Sequence, residues 1–106
     1  MSARKIRVVQ WGTKHAHARG WLEVVLANSD VELVGIVEED SERRQELEAQ
    51  GDSPWAEVNW LGSAEAVLGD GQIDAVVVEG DNTENLAQAE AVIAAGHHLL
   101  LDKPAG

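Results

Sequence analysis

Short apolar runs alternate with amphipathic stretches from one end of the chain to the other. The first run is Ile6 to Trp11, in which Ile6, Val8 and Val9 are β-branched and suit a pleated surface covered on both faces. Gly12 closes it, so a buried strand is predicted there. From about His15 to Ala27, Ala18, Trp21, Leu22, Val25 and Leu26 recur at spacings of three and four, the pattern of a helix with one apolar stripe. Asn28-Ser29-Asp30 supplies its stop, and Val31 to Val37 reads as a second strand ended by the acidic cluster Glu38-Glu39-Asp40.

Either Ser41 or Asp40 can cap the next helix, whose Glu42 to Gln50 stretch is polar apart from Leu47 and Ala49 and is therefore expected at the surface. Gly51-Asp52-Ser53-Pro54 breaks it. Ala56-Glu57-Val58 is expected as a third strand, and Ser63 as the cap of a short helix running through Leu68 to Gly69-Asp70-Gly71. Ile73 to Val78 is the strongest strand signal in the chain. A helix from about Thr83 to Ala95 follows, with Leu86, Ala89 and Ile93 expected on one face and Gly96 as C-cap, before a fifth strand at Leu99 to Leu101. Strand-helix alternation at this pace implies parallel pairing through right-handed crossovers. The expected fold is a Rossmann-like α/β domain, a doubly wound parallel sheet in three α/β/α layers with strand order 3-2-1-4-5.

Composition narrows the partners. The chain has 8 Lys plus Arg against 19 Asp plus Glu, a formal net charge of -11, which disfavours nucleic acid and anionic membrane surfaces. With no cysteine, thiolate chemistry, disulfides and iron-sulfur clusters are excluded. His15 and His17 form an H-x-H pair, but residues two apart on a helix point to different faces, so no metal site is assigned. The opening Met1-Ser2-Ala3-Arg4-Lys5 leads into an apolar run too short for a signal core or a membrane span, and a cytoplasmic location is expected.

In an open parallel sheet, ligands bind beyond the carboxyl ends of the strands, where strand order reverses. Those ends carry Gly12 to His15, Glu38, Glu79 to Asn82, and Asp102-Lys103. A strand followed by glycine and a helix N-terminus brings backbone N-H groups to a pyrophosphate, and an acid at the end of the second strand accepts from a ribose diol. Gly12 and Glu38 occupy those two places. Counting from Gly12, the second glycine of a G-x-G-x-x-G fingerprint is replaced by Lys14 and the third by His17. Lys14 either obstructs the approach of a pyrophosphate or reaches it with its ammonium, and both readings stand at this point.

The C-terminal stretch Ile73-Asp74-Ala75-Val76-Val77-Val78, then Asn82, then Ala95-Gly96-His97-His98-Leu99-Leu100-Leu101-Asp102-Lys103-Pro104, resembles the DAVVVATPN and AGKHVLCEKP segments of the glucose-fructose oxidoreductase, inositol dehydrogenase and MocA-like family. With Ile6 to Gly12 and Val31 to Glu38 the similarity spans nearly the whole chain. It implies an NAD(P)-binding Rossmann domain followed by a larger α/β domain, hydride transfer at a carbon of a sugar, cyclitol or related polyol, and a lysine at Lys103 beside nicotinamide and substrate. Asp102-Lys103-Pro104 stands for the family's Glu-Lys-Pro, Gly80-Asp81 for its Thr-Pro, and Asn85 for its histidine. His97-His98 stands for its Lys-His, with a packing histidine at a helix end as the plainer reading.

The expected cofactor contacts are Gly12, Thr13, Lys14, His15, Glu38, Asp81, Asn82, Asp102 and Lys103, with Lys103 also catalytic. NAD is expected over NADP because Glu38 repels a 2′-phosphate, although Arg43 and Arg44 lie close enough to soften that. Residues 1–106 are expected to be the dinucleotide-binding part of a longer oxidoreductase, inactive alone, whose small-molecule substrate is held by a second domain absent from this sequence. Homo-oligomerisation through the sheet edge is a further expectation. Two other functions compete: a family member that has lost its cofactor and serves as a binding or regulatory module, and an amino-acid dehydrogenase related to dihydrodipicolinate reductase, whose opening Val8-Val9-Gln10-Trp11-Gly12-Thr13 resembles.

Overall fold

A computed structural model describes residues 5–13, 18–50, 55, 58–79 and 85–101. Strands β1 (Ile6–Trp11), β2 (Val31–Val37), β3 (Trp60–Leu61), β4 (Ala75–Val78) and β5 (His98–Leu101) alternate with helices α1 (Ala18–Ala27), α2 (Ser41–Glu48), α3 (Ala64–Leu68) and α4 (Asn85–Ala94). All the pairings are parallel, and the sheet has the expected order β3-β2-β1-β4-β5. On one face Leu22 of α1 and Leu47 of α2 pack with Ile36 and Trp55; on the other, Ala64 and Val67 of α3 and Val92 of α4 pack on Val9, Trp11, Val37, Val76 and Val78. These two cores make the three layers.

A register shift lies in β2, where Val8 pairs with Leu33 but Val9 with Gly35. The extra residue, Val34, lets Leu33 and Ile36 join the same core although strict alternation would put them on opposite faces. The third strand forms at Trp60–Leu61 and not at the expected Ala56-Glu57-Val58; Val58 lies outside it, and residues 56 and 57 lie outside the described residues. What selects Trp60 is packing: its ring stacks on Trp55 at 6.3 Å between centroids, and the Arg44 guanidinium lies 5.8 Å from the same ring.

α4 buries a different stripe from the one its apolar residues suggest. Gln88, Ala89 and Val92 face inward, whereas Leu86 and Ile93 are exposed. Its end follows the glycine signal: Gly96 has φ +87, Gly96 N-H donates to the Ile93 carbonyl and His97 N-H to that of Val92, the paired bonds of a Schellman motif.

His97 is the packing histidine of the plainer reading. Its Nδ1 lies 2.9 Å from the Ile73 carbonyl oxygen and its Nε2 2.8 Å from that of Leu68, so one ring ties the end of α3 to the turn before β4. A neutral imidazole donates to one of these and the doubly protonated ring to both. Replacing His97 by Ala strips partners from partly buried carbonyls and is expected to cost about 1–3 kcal/mol in a urea titration; an unchanged midpoint would show that water replaces the ring without loss.

Candidate functional site

β1 and β2 end side by side, and three consecutive acids at the end of β2 have three separate tasks. Asp40 caps α2, its Oδ1 accepting from the N-H groups of Glu42 (3.1 Å) and Arg43 (3.2 Å), which settles the cap in favour of Asp40 over Ser41. Glu39 accepts from the indole N-H of Trp11 at 3.1 Å. Glu38, half-buried, turns back to the loop that leaves β1.

That loop is tightly held. Gly12 has φ +100, a backbone state that L side chains rarely adopt, so the glycine is required where the chain leaves the sheet. Its N-H donates to the Val37 carbonyl at 2.8 Å, and its own carbonyl accepts from the side-chain amide of the buried Gln10 at 3.1 Å. Thr13 is buried at 1% exposure. Its N-H donates to Glu38 Oε1 at 3.1 Å, its hydroxyl makes a short hydrogen bond to the same oxygen, and Glu38 Oε2 accepts from Asp40 N-H at 3.0 Å. Arg43 completes the cluster, donating through Nε to the Thr13 hydroxyl at 3.3 Å and through Nη2 to the Thr13 carbonyl at 3.1 Å.

The structure therefore brings Gly12, Thr13 and Glu38 together, as the sequence pattern anticipates. Lys14, His15, Asp81, Asn82, Asp102 and Lys103 lie outside the described residues. The two neighbouring arginines part company: Arg43 faces the β1 loop, while Arg44 pairs with Glu48 at 2.6 Å and covers Trp60. Arg43 is thus a site residue by position, foreshadowed in sequence only by its nearness to Glu38.

Glu79 stands at one of the strand ends, outside the expected cofactor contacts. It follows the last residue of β4, its N-H donates to the Trp11 carbonyl at 2.8 Å, and its side chain is fully buried at the strand ends. The available signal was a carboxylate directly after Val76-Val77-Val78, at the place where the family segment DAVVVATPN has a small alanine. Among the described residues no group of three or more potential metal ligands occurs, and no helix is long and apolar enough to cross a membrane.

The chain is similar to known oxidoreductases. Residues 6–106 match the model of an oxidoreductase family with an NAD-binding Rossmann fold, that of glucose-fructose oxidoreductase, inositol dehydrogenase and MocA. Among solved structures, a UDP-N-acetylglucosamine 3-dehydrogenase, GnnA, from Acidithiobacillus ferrooxidans is 26% identical with a TM-score of 0.72, over 97% of this chain and 31% of that one. An NAD-binding protein from Listeria innocua (23% identical, TM-score 0.78) and GenD2 of gentamicin A biosynthesis, solved in complex with NAD (23% identical, TM-score 0.77), share the fold; each is covered over 28% of its length, against 97% of this chain. The chain thus spans about three tenths of the length of these structures.

Proposed function

Because this chain belongs to the oxidoreductase family of glucose-fructose oxidoreductase, inositol dehydrogenase and MocA as an NAD-binding Rossmann domain, we propose that it is the cofactor half of an enzyme that transfers a hydride to or from a sugar, cyclitol or related polyol. The observation that carries the reading is the junction of β1 and β2, where a glycine at φ +100 opens a loop directly against an acidic residue at the neighbouring strand end. That is the arrangement that receives a pyrophosphate beside one strand and a ribose beside the next.

The residues fit the group in a definite way. Gly12 carries no side chain to hinder a close backbone approach, and Glu38 Oε2, which accepts one hydrogen bond, from Asp40 N-H, keeps a lone pair for a hydroxyl of an adenosine ribose. Thr13 joins the two through its hydrogen bonds to Glu38. Lys14 and His15, next along the loop, are proposed at the pyrophosphate, and Asp81, Asn82, Asp102 and Lys103 at the nicotinamide half. Lys103 is the proposed catalytic group of the complete enzyme, placed to hold or move the proton of the reacting hydroxyl. When bound, the dinucleotide supplies the hydride acceptor or donor. A second domain, in the length by which the matched structures exceed this chain, is proposed to hold the substrate, so the chain alone turns over no polyol.

Glu38 argues for NAD, since a carboxylate repels a 2′-phosphate, while Arg43 turns Nε and Nη2 to Thr13 and lies with Nη1 3.8 Å from Glu46. Calorimetric titration of the 106-residue chain with NAD and with NADP tests the reading. NAD is expected to bind more tightly, and Glu38→Ala to weaken NAD while leaving NADP little changed or improved. Tighter NADP binding by the wild type would contradict the assignment, and no binding of either would turn the chain into a binding or regulatory module.

A further inference from the structure

Glu38 carries more hydrogen bonds than a ribose acceptor has room for. Each carboxylate oxygen presents two lone-pair sites. On Oε1 both are taken, by the Thr13 N-H at 3.1 Å and by the Thr13 hydroxyl. On Oε2 one is taken, by Asp40 N-H at 3.0 Å. A single site remains, whereas a ribose 2′,3′-diol brings two donors to the carboxylate that reads it. The Thr13 hydroxyl is also polarised, since Arg43 Nε donates to its oxygen at 3.3 Å and thereby makes its proton a better donor to Glu38.

We infer that Thr13 competes with the adenosine ribose for Glu38, so that Thr13 is a residue that sets dinucleotide affinity by withholding an acceptor oxygen. The inference rests on the reading of Glu38 as the ribose acceptor and extends it to a residue that touches no reacting atom. Of the two Thr13 donors, the hydroxyl is the one that can yield without moving the backbone: a rotation about its side-chain bond releases one Oε1 site, and water or the incoming ribose takes it. The N-H is fixed by the loop that Gly12 and Gln10 hold. Binding in the wild type therefore includes the loss of a partly buried, charge-assisted hydrogen bond, and a side chain of the same shape without the hydroxyl is spared that loss.

The experiment is a calorimetric titration of the full chain with NAD, comparing wild type, Thr13→Val, Thr13→Ser and Glu38→Ala with and without Thr13→Val. Val keeps the shape that fills the buried position and is expected to tighten NAD binding on the order of fivefold. Ser retains the hydroxyl and should bind as the wild type does. In the Glu38→Ala background the Thr13→Val change should lose its effect, because the contested oxygen is gone. Equal or weaker NAD binding by Thr13→Val, with its melting temperature unchanged, would overturn the inference while leaving the ribose role of Glu38 intact. Should Thr13→Val prove unstable, the amide spectrum of the wild type decides: the Thr13 resonance is expected to shift on NAD addition, and a stationary Thr13 amide beside other shifting loop resonances overturns the competition. If no variant binds NAD, the ribose reading and the competition fall together.

Discussion

Gly35→Ala is expected to lower stability by about 2 kcal/mol, which at this chain length lowers Tm by roughly 10 °C. A Cβ at this position would lie 2.6 Å from the Asn59 carbonyl oxygen and 2.7 Å from Leu61 Cγ. The oxygen has no freedom to retreat, since it accepts the Ile36 N-H at 2.9 Å and lies one residue before β3. β3 in turn is held to β2 by only the pairs Ile36 with Trp60 and Val37 with Leu61. The substitution therefore forces apart the shortest strand pairing in the sheet, on the strand that carries Glu38. Gly20→Ala is the contrast: nothing lies within 4 Å of an added Cβ there, and an exposed helical Gly→Ala change stabilises by about 0.5–1 kcal/mol. Paired thermal melts check both signs, and a Gly35→Ala melt at or above that of the wild type would refute the clash.

Leu22→Ala should do still more damage, about 3 kcal/mol in a denaturant titration. Leu22 has no solvent exposure and is the buried side chain among the described residues of α1, packed with Ile36, Leu47 and Trp55. Truncation opens a cavity lined by Ile36 of β2 and Leu47 of α2, and a close-packed surround that relaxes only partly keeps the cost high. The same packing joins α1 to β2, whose end carries the acidic cluster, and dinucleotide affinity is expected to fall along with stability. A loss below about 1 kcal/mol would mean that the site collapses onto the smaller side chain.

Much of the architecture was legible along the chain because it follows from local causes. Val8 to Trp11, Gly35 to Val37 and the valines before Glu79 are buried on both faces, and such strand segments read as nearly continuous apolar runs. Asp40, Ser63 and Gly96 mark helix ends through their own backbone and side-chain geometry. Alternation of strand and helix then leaves few topologies, and the crossover rule selects the observed order. Gly12 and Glu38 were visible for the same reason, since the ends of parallel strands are known once the strands are.

Other features depend on partners distant in the chain. Trp60, rather than Val58, continues the sheet because Trp55 and Arg44 pack on its ring. α4 turns Gln88 and Val92 inward and leaves Leu86 and Ile93 outside, a choice made by the sheet surface beneath the helix and not by its apolar stripe. The Val34 bulge lets Leu33 and Ile36 share one core, which no period-two reading of β2 reveals. At the site, sequence placed Glu38 at the end of β2, but that Glu39 holds the Trp11 indole, that Asp40 caps α2, and that Thr13 and Arg43 meet at the β1 loop followed only from folding. Hydrogen bonds between residues 25 and 30 positions apart are decided by three-dimensional proximity, because no local periodicity of strand or helix links positions so far apart.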